Sequence, residues 1–258
     1  MLYPAELRAH IWIVTATFAP RQWLRLGAGL AVALGLAGAT AEAAAEATEE
    51  AGWVAVGEAL VIELDSGERL RLAELAPEVP AATLRALLGG ARLTFEPVGA
   101  RQRTGHLPAL VWEPGHASLQ ARLVEQGLAQ VWPSHDAALA TALLALEDAA
   151  RTAGRGLWGS GDFRVLEATP TPSVEGFAIF RGEVVSVGRT DRFLYLNFGA
   201  RFRESVSVRI RPRDGRSWGL TNRLDDLVGQ RIEVRGFAFE DGGPMLELDH
   251  PAQLRVVD

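Results

Sequence analysis

The sequence predicts a mainly β protein made of two small barrels in tandem, the first carrying additional helices. Three observations predict it. Apolar residues alternate on either side of an Asp65-Ser66-Gly67 turn, which is a hairpin pattern. Two stretches of helical periodicity follow between residues 118 and 154. After a break marked by Pro170 and Pro172, the strand-like alternation resumes in five further segments.

The N-terminus comes first in chain order. Arg21 and Arg25 precede an apolar run that closes on small residues, with an Ala-x-Ala pattern ending at Ala43. This is the layout of a secretory signal peptide over residues 1–43, in an over-long leader. The apolar run is shorter than the ~20 residues that a spanning helix needs. An uncleaved anchor is the rival reading. Cleavage would leave a periplasmic or secreted protein with no stable membrane span. Residues 44–52 are small and acidic without periodicity, which predicts an unstructured lead-in.

The first ordered unit is expected over residues 53–159. Leu60, Ile62 and Leu64 share one face of a strand, and Leu70 and Leu72 return on the next. A short helix at "ATLRALLGG" stops at Gly89 and Gly90, and two strands follow at "ARLTFEPV" and "TGHLPALVWEPG". The stretch "SLQARLVEQGLAQVW" reads as a helix. A longer helix starts from an Asp136 cap, carries Leu139, Leu143, Leu146 and Ala150 as its stripe, and ends at Gly154.

Residues 160–175 read as a linker, and residues 176–258 as a second unit. There "FAIFRGEVVSVG", "RFLYLNFG" and "SVSVRIR" are strands, "GLTNRLDDLVGQ" a short helix, and "RIEVRGFAFE" and "MLELDH" two more strands. Five strands with a helix between the third and fourth is the layout of an OB-type Greek-key barrel.

Composition narrows the function classes. The chain has 258 residues, is 48% apolar and carries a net charge of −6. It is therefore no general polycation, and any anion site must be local. All 26 basic side chains are arginine, a planar fork suited to carboxylate or phosphate. With no cysteine, disulfides, thiolate metal sites and cysteine nucleophiles are excluded. His106, His116 and His135 fit no standard zinc spacing.

The segments "GEALVIELDSGERLRLAELAPE", "TGHLPALVW", "LVEQGLAQVWP" and "LEDAARTAGRGLWG" together resemble the staphylococcal nuclease family over roughly residues 53–159. The second unit is similar, less specifically, to a C-terminal barrel that accompanies some bacterial members. The resemblance implies an OB barrel with three helices and calcium-dependent hydrolysis of DNA and RNA phosphodiesters. It also implies a phosphate-clamping arginine at Arg71 and a general-base glutamate at Glu78. His106 falls where a second arginine is expected, and Glu58 where one metal aspartate is expected. The segment "RLAELAPE" is one residue short, and the missing residue is best placed at the second metal aspartate. Calcium prefers six to eight hard oxygen ligands, so this loss weakens the site disproportionately. A neutral imidazole in place of a charged fork weakens the phosphate clamp as well.

Alternatives stay open at each position. Arg71 and Glu78 either face a phosphate together or pair with one another to hold the turn. In the second unit, Arg209, Arg211 and Arg213 alternate, which predicts that they project from one face of a strand or its extension; Arg201 and Arg203 precede them, and Tyr195 lies on the preceding strand beside Phe193. OB barrels bind single strands with such cations and aromatics, although the arginines can instead pair with neighbouring acids. The leading expectation is an exported nuclease-like protein that binds nucleic acid, or another anionic or protein partner, through a degraded phosphodiesterase site. An active nuclease of altered chemistry and a structural envelope docking module are the rivals.

Overall fold

A computed structural model describes residues 50–90, 92–170, 174–201 and 203–257. The proposed signal peptide and most of the lead-in lie outside the described residues. None of the described helices is long and apolar enough to cross a membrane.

The first unit contains β1 (Trp53–Val56), β2 (Val61–Leu64), β3 (Arg69–Leu72), α1 (Ala81–Leu88), β4 (Thr94–Pro97), β5 (Leu107–Trp112), α2 (Leu119–Glu125), α3 (Ala137–Thr152) and α4 (Leu157–Ser160). Its sheet order is β1-β2-β3-β5-β4, with β3 and β5 parallel. Ala51 and Leu93 exchange both backbone hydrogen bonds, which joins the β1 end of the sheet to the β4 end. Ala51 was expected in the unstructured lead-in; it is buried and paired instead.

The local chemistry behind these elements is as the sequence suggests. Gly67 supplies the positive φ of the β2–β3 turn. Ser118 caps α2 by accepting from the Ala121 N–H, and Asp136 caps α3 by accepting from Ala138 and Leu139. Gly127 and Gly156 meet back to back where the end of α2 passes the start of α4. A side chain at either would collide with the other segment's backbone carbonyl.

The second unit contains β6 (Val165–Glu167), β7 (Gly176–Glu183), β8 (Ser186–Arg189), β9 (Leu194–Asn197), β10 (Ser207–Ile210), α5 (Pro212–Ser217), a 3-10 turn (Leu224–Leu227), β11 (Arg231–Glu240), β12 (Pro244–Leu248), a second 3-10 turn (Pro251–Gln253) and β13 (Leu254–Val256). The order is β6-β7-β11-β12-β10-β9-β8, with β10 and β12 parallel. β7 and β8 are consecutive, so one bent length of chain forms both ends of the β7-to-β8 path. The two units thus share a connectivity: a three-strand meander, a helical insert, and a fifth strand parallel to the third.

Two differences from the sequence reading have physical causes. β6 lies in the segment read as linker, where it pairs in parallel with β7 and buries Ala168 in the second core. The alternation of Arg209, Arg211 and Arg213 does not mark one strand face. β10 ends at Ile210, Arg211 is the cap of α5, and Pro212 opens that helix.

A buried ion network joins the units. Glu233 of β11 is 1% exposed and accepts from Arg151 of α3 and Arg181 of β7, each at 2.8 Å. Arg235 donates to Glu233 at 2.8 Å and pairs with Glu147 of α3 at 2.7 Å. Arg255 of β13 reaches both Glu233 and Asp148. Burial alone would raise the Glu233 carboxyl; the Arg151 hydrogen bond and the charges of Arg235 and Arg255 outweigh it and hold the group far below its ordinary range.

Candidate functional site

The stretch from Arg71 to Glu78 leaves β3 and turns across the face of the first barrel. Glu74 takes a positive φ of 61°, an uncommon choice for a residue with a side chain. The turn lets Leu75 bridge Val131, with Ala76 N–H donating to Gln130 and Trp132 N–H to Glu74. The fully buried Glu74 carboxylate then accepts from the N–H groups of Ser134, His135 and Asp136. A segment some sixty residues downstream is thereby fixed beside β3, and Trp132 is carried with it.

Arg71 sits under that segment. It is 7% exposed, and its Nη2 donates to the Leu75 carbonyl at 3.2 Å. Its guanidinium lies 5.3 Å from the Trp132 ring. Among the described residues, Nη1 is buried without a hydrogen-bond partner. Burial lowers the guanidinium's affinity for its proton, and the charges of Glu74 and Glu78 partly offset this.

Glu78 is exposed and does not pair directly with Arg71. Its carboxylate accepts, at 3.4 Å, from the Phe177 N–H at the start of β7. In place of the turn-holding ion pair, one of the two readings left open, there are two separate attachments, Arg71 to the Leu75 carbonyl and Glu78 to the second unit.

His106, just ahead of β5, is half-buried. Its Nδ1 lies 3.3 Å from the Thr104 hydroxyl, while Nε2 is buried without a partner. Burial, followed by the charges of Arg69 and Arg71, pushes the imidazole below its usual value. The lowering favours the neutral imidazole at neutral pH, which presents no cationic fork to a phosphate. Arg71 thus feels the charge of Glu78, and His106 that of Arg71, while Glu78 is attached elsewhere, to Phe177.

Glu58 is exposed in the β1–β2 turn. Ala76, beside the gap where a second metal carboxylate is expected, is 2% exposed and apolar. Among the described residues, no three His, Cys, Asp or Glu side chains gather as a cation site. A single exposed carboxylate does not meet calcium's need for converging hard oxygens, so the donor set does not fit that ion.

The candidate residues of the second unit gather on β9, β10 and the turns that follow them. Arg209 of β10 stands directly across from Tyr195 of β9. Its guanidinium is 4.6 Å from the Phe193 ring and 4.7 Å from the Phe239 ring. It also pairs with Asp241 at 2.9 Å and Glu247 at 2.7 Å. Arg211 pairs with the same Glu247 at 2.7 Å, and Arg201 pairs with Glu204 at 3.1 Å. Arg203 is exposed in the turn that follows β9. Two arginines are thus met by two carboxylates on the Tyr195 face, which weakens its attraction for a polyanion.

Sequence reasoning missed Glu74 and Trp132. Glu74 has no local signal, since all its partners are distant in sequence. Trp132 stands in the quoted "LVEQGLAQVWP", but nothing in its local sequence signals that it lies against Arg71.

Residues 81–160, from α1 to α4, match the model of the family described as staphylococcal nuclease homologue. The chain therefore carries a staphylococcal-nuclease-like domain. His106 lies inside the matched residues; Glu58, Arg71 and Glu78 precede them. No curated protein matches the chain.

Proposed function

We propose that this staphylococcal-nuclease-like domain grips the phosphodiester of a nucleic acid through Arg71 and does not hydrolyse it. The observation that carries the reading is the buried Arg71 guanidinium with Nη1 unpartnered among the described residues. A buried donor left unsatisfied costs about 1–3 kcal/mol, and more when charged. A phosphate oxygen would recover that cost with a charge-assisted bond. Because Nη1 is covered, a phosphate reaches it only when a neighbouring side chain moves.

Hydrolysis places further demands on the site. Charge developing on the phosphoryl oxygens must be stabilised, and removing one preorganised donor costs on the order of 10²–10³ in rate. Here His106 is neutral and the calcium donor set does not fit, so two such contributions fail together. Arg71 and its flanking main chain remain able to orient a phosphate without cleaving it.

One observation favours a second reading. A neutral imidazole with an unpartnered Nε2 beside Arg71 is a proton acceptor in a phosphate site, as a metal-independent phosphodiesterase would need. Turnover with a bell-shaped pH profile that His106→Gln flattens on one side would support it.

Digestion of single-stranded DNA and RNA with added calcium, run beside a binding titration, tests the proposal. Salt-dependent binding without cleavage is expected. Brisk cleavage that disappears in Arg71→Ala and Glu78→Ala would overturn it. Absence of any binding at low salt would favour a protein-docking role. We infer export to the periplasm or the exterior from the signal-peptide layout of residues 1–43, and N-terminal sequencing of the mature chain checks it.

A further inference from the structure

The second barrel reaches the Arg71 cleft with aromatic side chains. The Trp132 ring meets Phe237 of β11 edge-on at 4.9 Å between centroids. Phe237 meets Phe177 of β7 at 5.8 Å, and the two stand directly opposite in the β7–β11 pair. Three rings therefore step from the Arg71 guanidinium across the domain boundary. Phe237 is 37% exposed, while Trp132 and Phe177 are half-buried.

The row is tied to the first unit at both ends, closely at Trp132 and by a longer contact at Phe177. Arg235 of β11 donates to the Val131 carbonyl at 3.0 Å, while Glu147 accepts from the Val131 N–H at 2.8 Å. The peptide before Trp132 is thus gripped from both sides. At the other end, the Phe177 N–H rests on Glu78. The second barrel fixes the rings relative to the cleft, as a binding platform requires.

We propose that Phe237 and Phe177 form a base-stacking platform that the second barrel adds to the phosphate site, and that the occupant is single-stranded nucleic acid. The inference rests on the phosphate reading of Arg71. A π-face is useful only to a base freed from its duplex, and every base offers one, so such a platform favours single strands without sequence preference. A duplex would need many phosphate contacts. The chain is acidic overall, and the arginines on the Tyr195 face are matched by carboxylates. One buried cation beside a row of rings fits one phosphate flanked by stacked bases.

The test measures fluorescence anisotropy of the full mature chain with oligothymidylate, an abasic oligomer of equal length and a duplex. The variants are Phe237→Ala, Phe237→Leu and Arg71→Met. Phe237→Leu fills the space against Trp132 but removes the π-face, and a melting curve confirms each fold. Both Phe237 variants should weaken oligothymidylate roughly 5- to 150-fold and leave the abasic oligomer unchanged, and the wild type should prefer the single strand to the duplex. Wild-type affinity in Phe237→Leu, with binding lost in Arg71→Met, would overturn the platform and leave the phosphate site standing. Weakening by Phe237→Leu with Arg71→Met unchanged would overturn the phosphate site and leave the platform without its anchor. Binding by no form of the protein would overturn both.

Discussion

Replacing Arg71 with methionine separates a binding arginine from a structural one. The change removes the hydrogen bond to the Leu75 carbonyl and the contact with Trp132. A hydrogen bond from a charged donor contributes about 1.5–3 kcal/mol, and a partly desolvated cation–π contact about 0.5–2 kcal/mol. Against these stands relief of the buried Nη1, about 1–3 kcal/mol or more, in a side chain of similar length. The opposing contributions nearly cancel, so stability should stay within about 2 kcal/mol of wild type. For a chain of this size that is at most about 4–8 °C in melting temperature. Affinity for a single-stranded oligonucleotide should meanwhile fall roughly 10- to 150-fold, the equivalent of one lost charge-assisted bond. Calorimetric melting and an anisotropy titration on the same preparation measure both. A melting point lowered by more than about 10 °C, with affinity unchanged, would refute the reasoning and make Arg71 a structural residue.

Two further predictions concern stability. Glu233→Gln leaves four arginines around a neutral amide and should cost about 3–5 kcal/mol, lowering the melting point by roughly 6–20 °C; differential scanning calorimetry measures it. Because the folded Glu233 carboxyl is depressed, its stabilisation is present above the ordinary glutamate value near 4.5 and is lost as pH falls through the folded value, so the variant's acid limb should be flatter. His106 is also depressed in the folded state, so the unfolded chain binds the extra proton first. Its contribution is full above the ordinary value near 6.5 and declines as pH drops below it; His106→Gln should remove that part of the slope in urea denaturation at stepped pH.

How much of this was legible depends on the range of the interactions. The β2–β3 hairpin and the Asp136 cap rest on neighbours within a few residues, so alternation and a single side-chain type reveal them. β6 and β13 are three-residue strands whose pairing comes from β7 and β11, and no local pattern announces them. The arginine alternation that starts in β10 runs past the strand's end, and Pro212 is the signal of that end, since proline favours a first helical position. In the site, Arg71 and Glu78 could be placed from the motif, but their attachments could not. Glu74 reaches Ser134, and Glu78 reaches Phe177 on another barrel. The Glu233 and Arg235 side chains look like a solvated strand face until α3 covers them with Glu147 and Arg151.

The central claim is a phosphate site that holds without cutting. A single titration tests it most directly: labelled single-stranded DNA in calcium, with anisotropy and fragment length followed in the same tube as protein is added. Saturable binding that weakens with salt and in Arg71→Met, with the strand intact throughout, is the predicted result. Steady shortening of the strand that stops on chelation and in Glu78→Gln would contradict it.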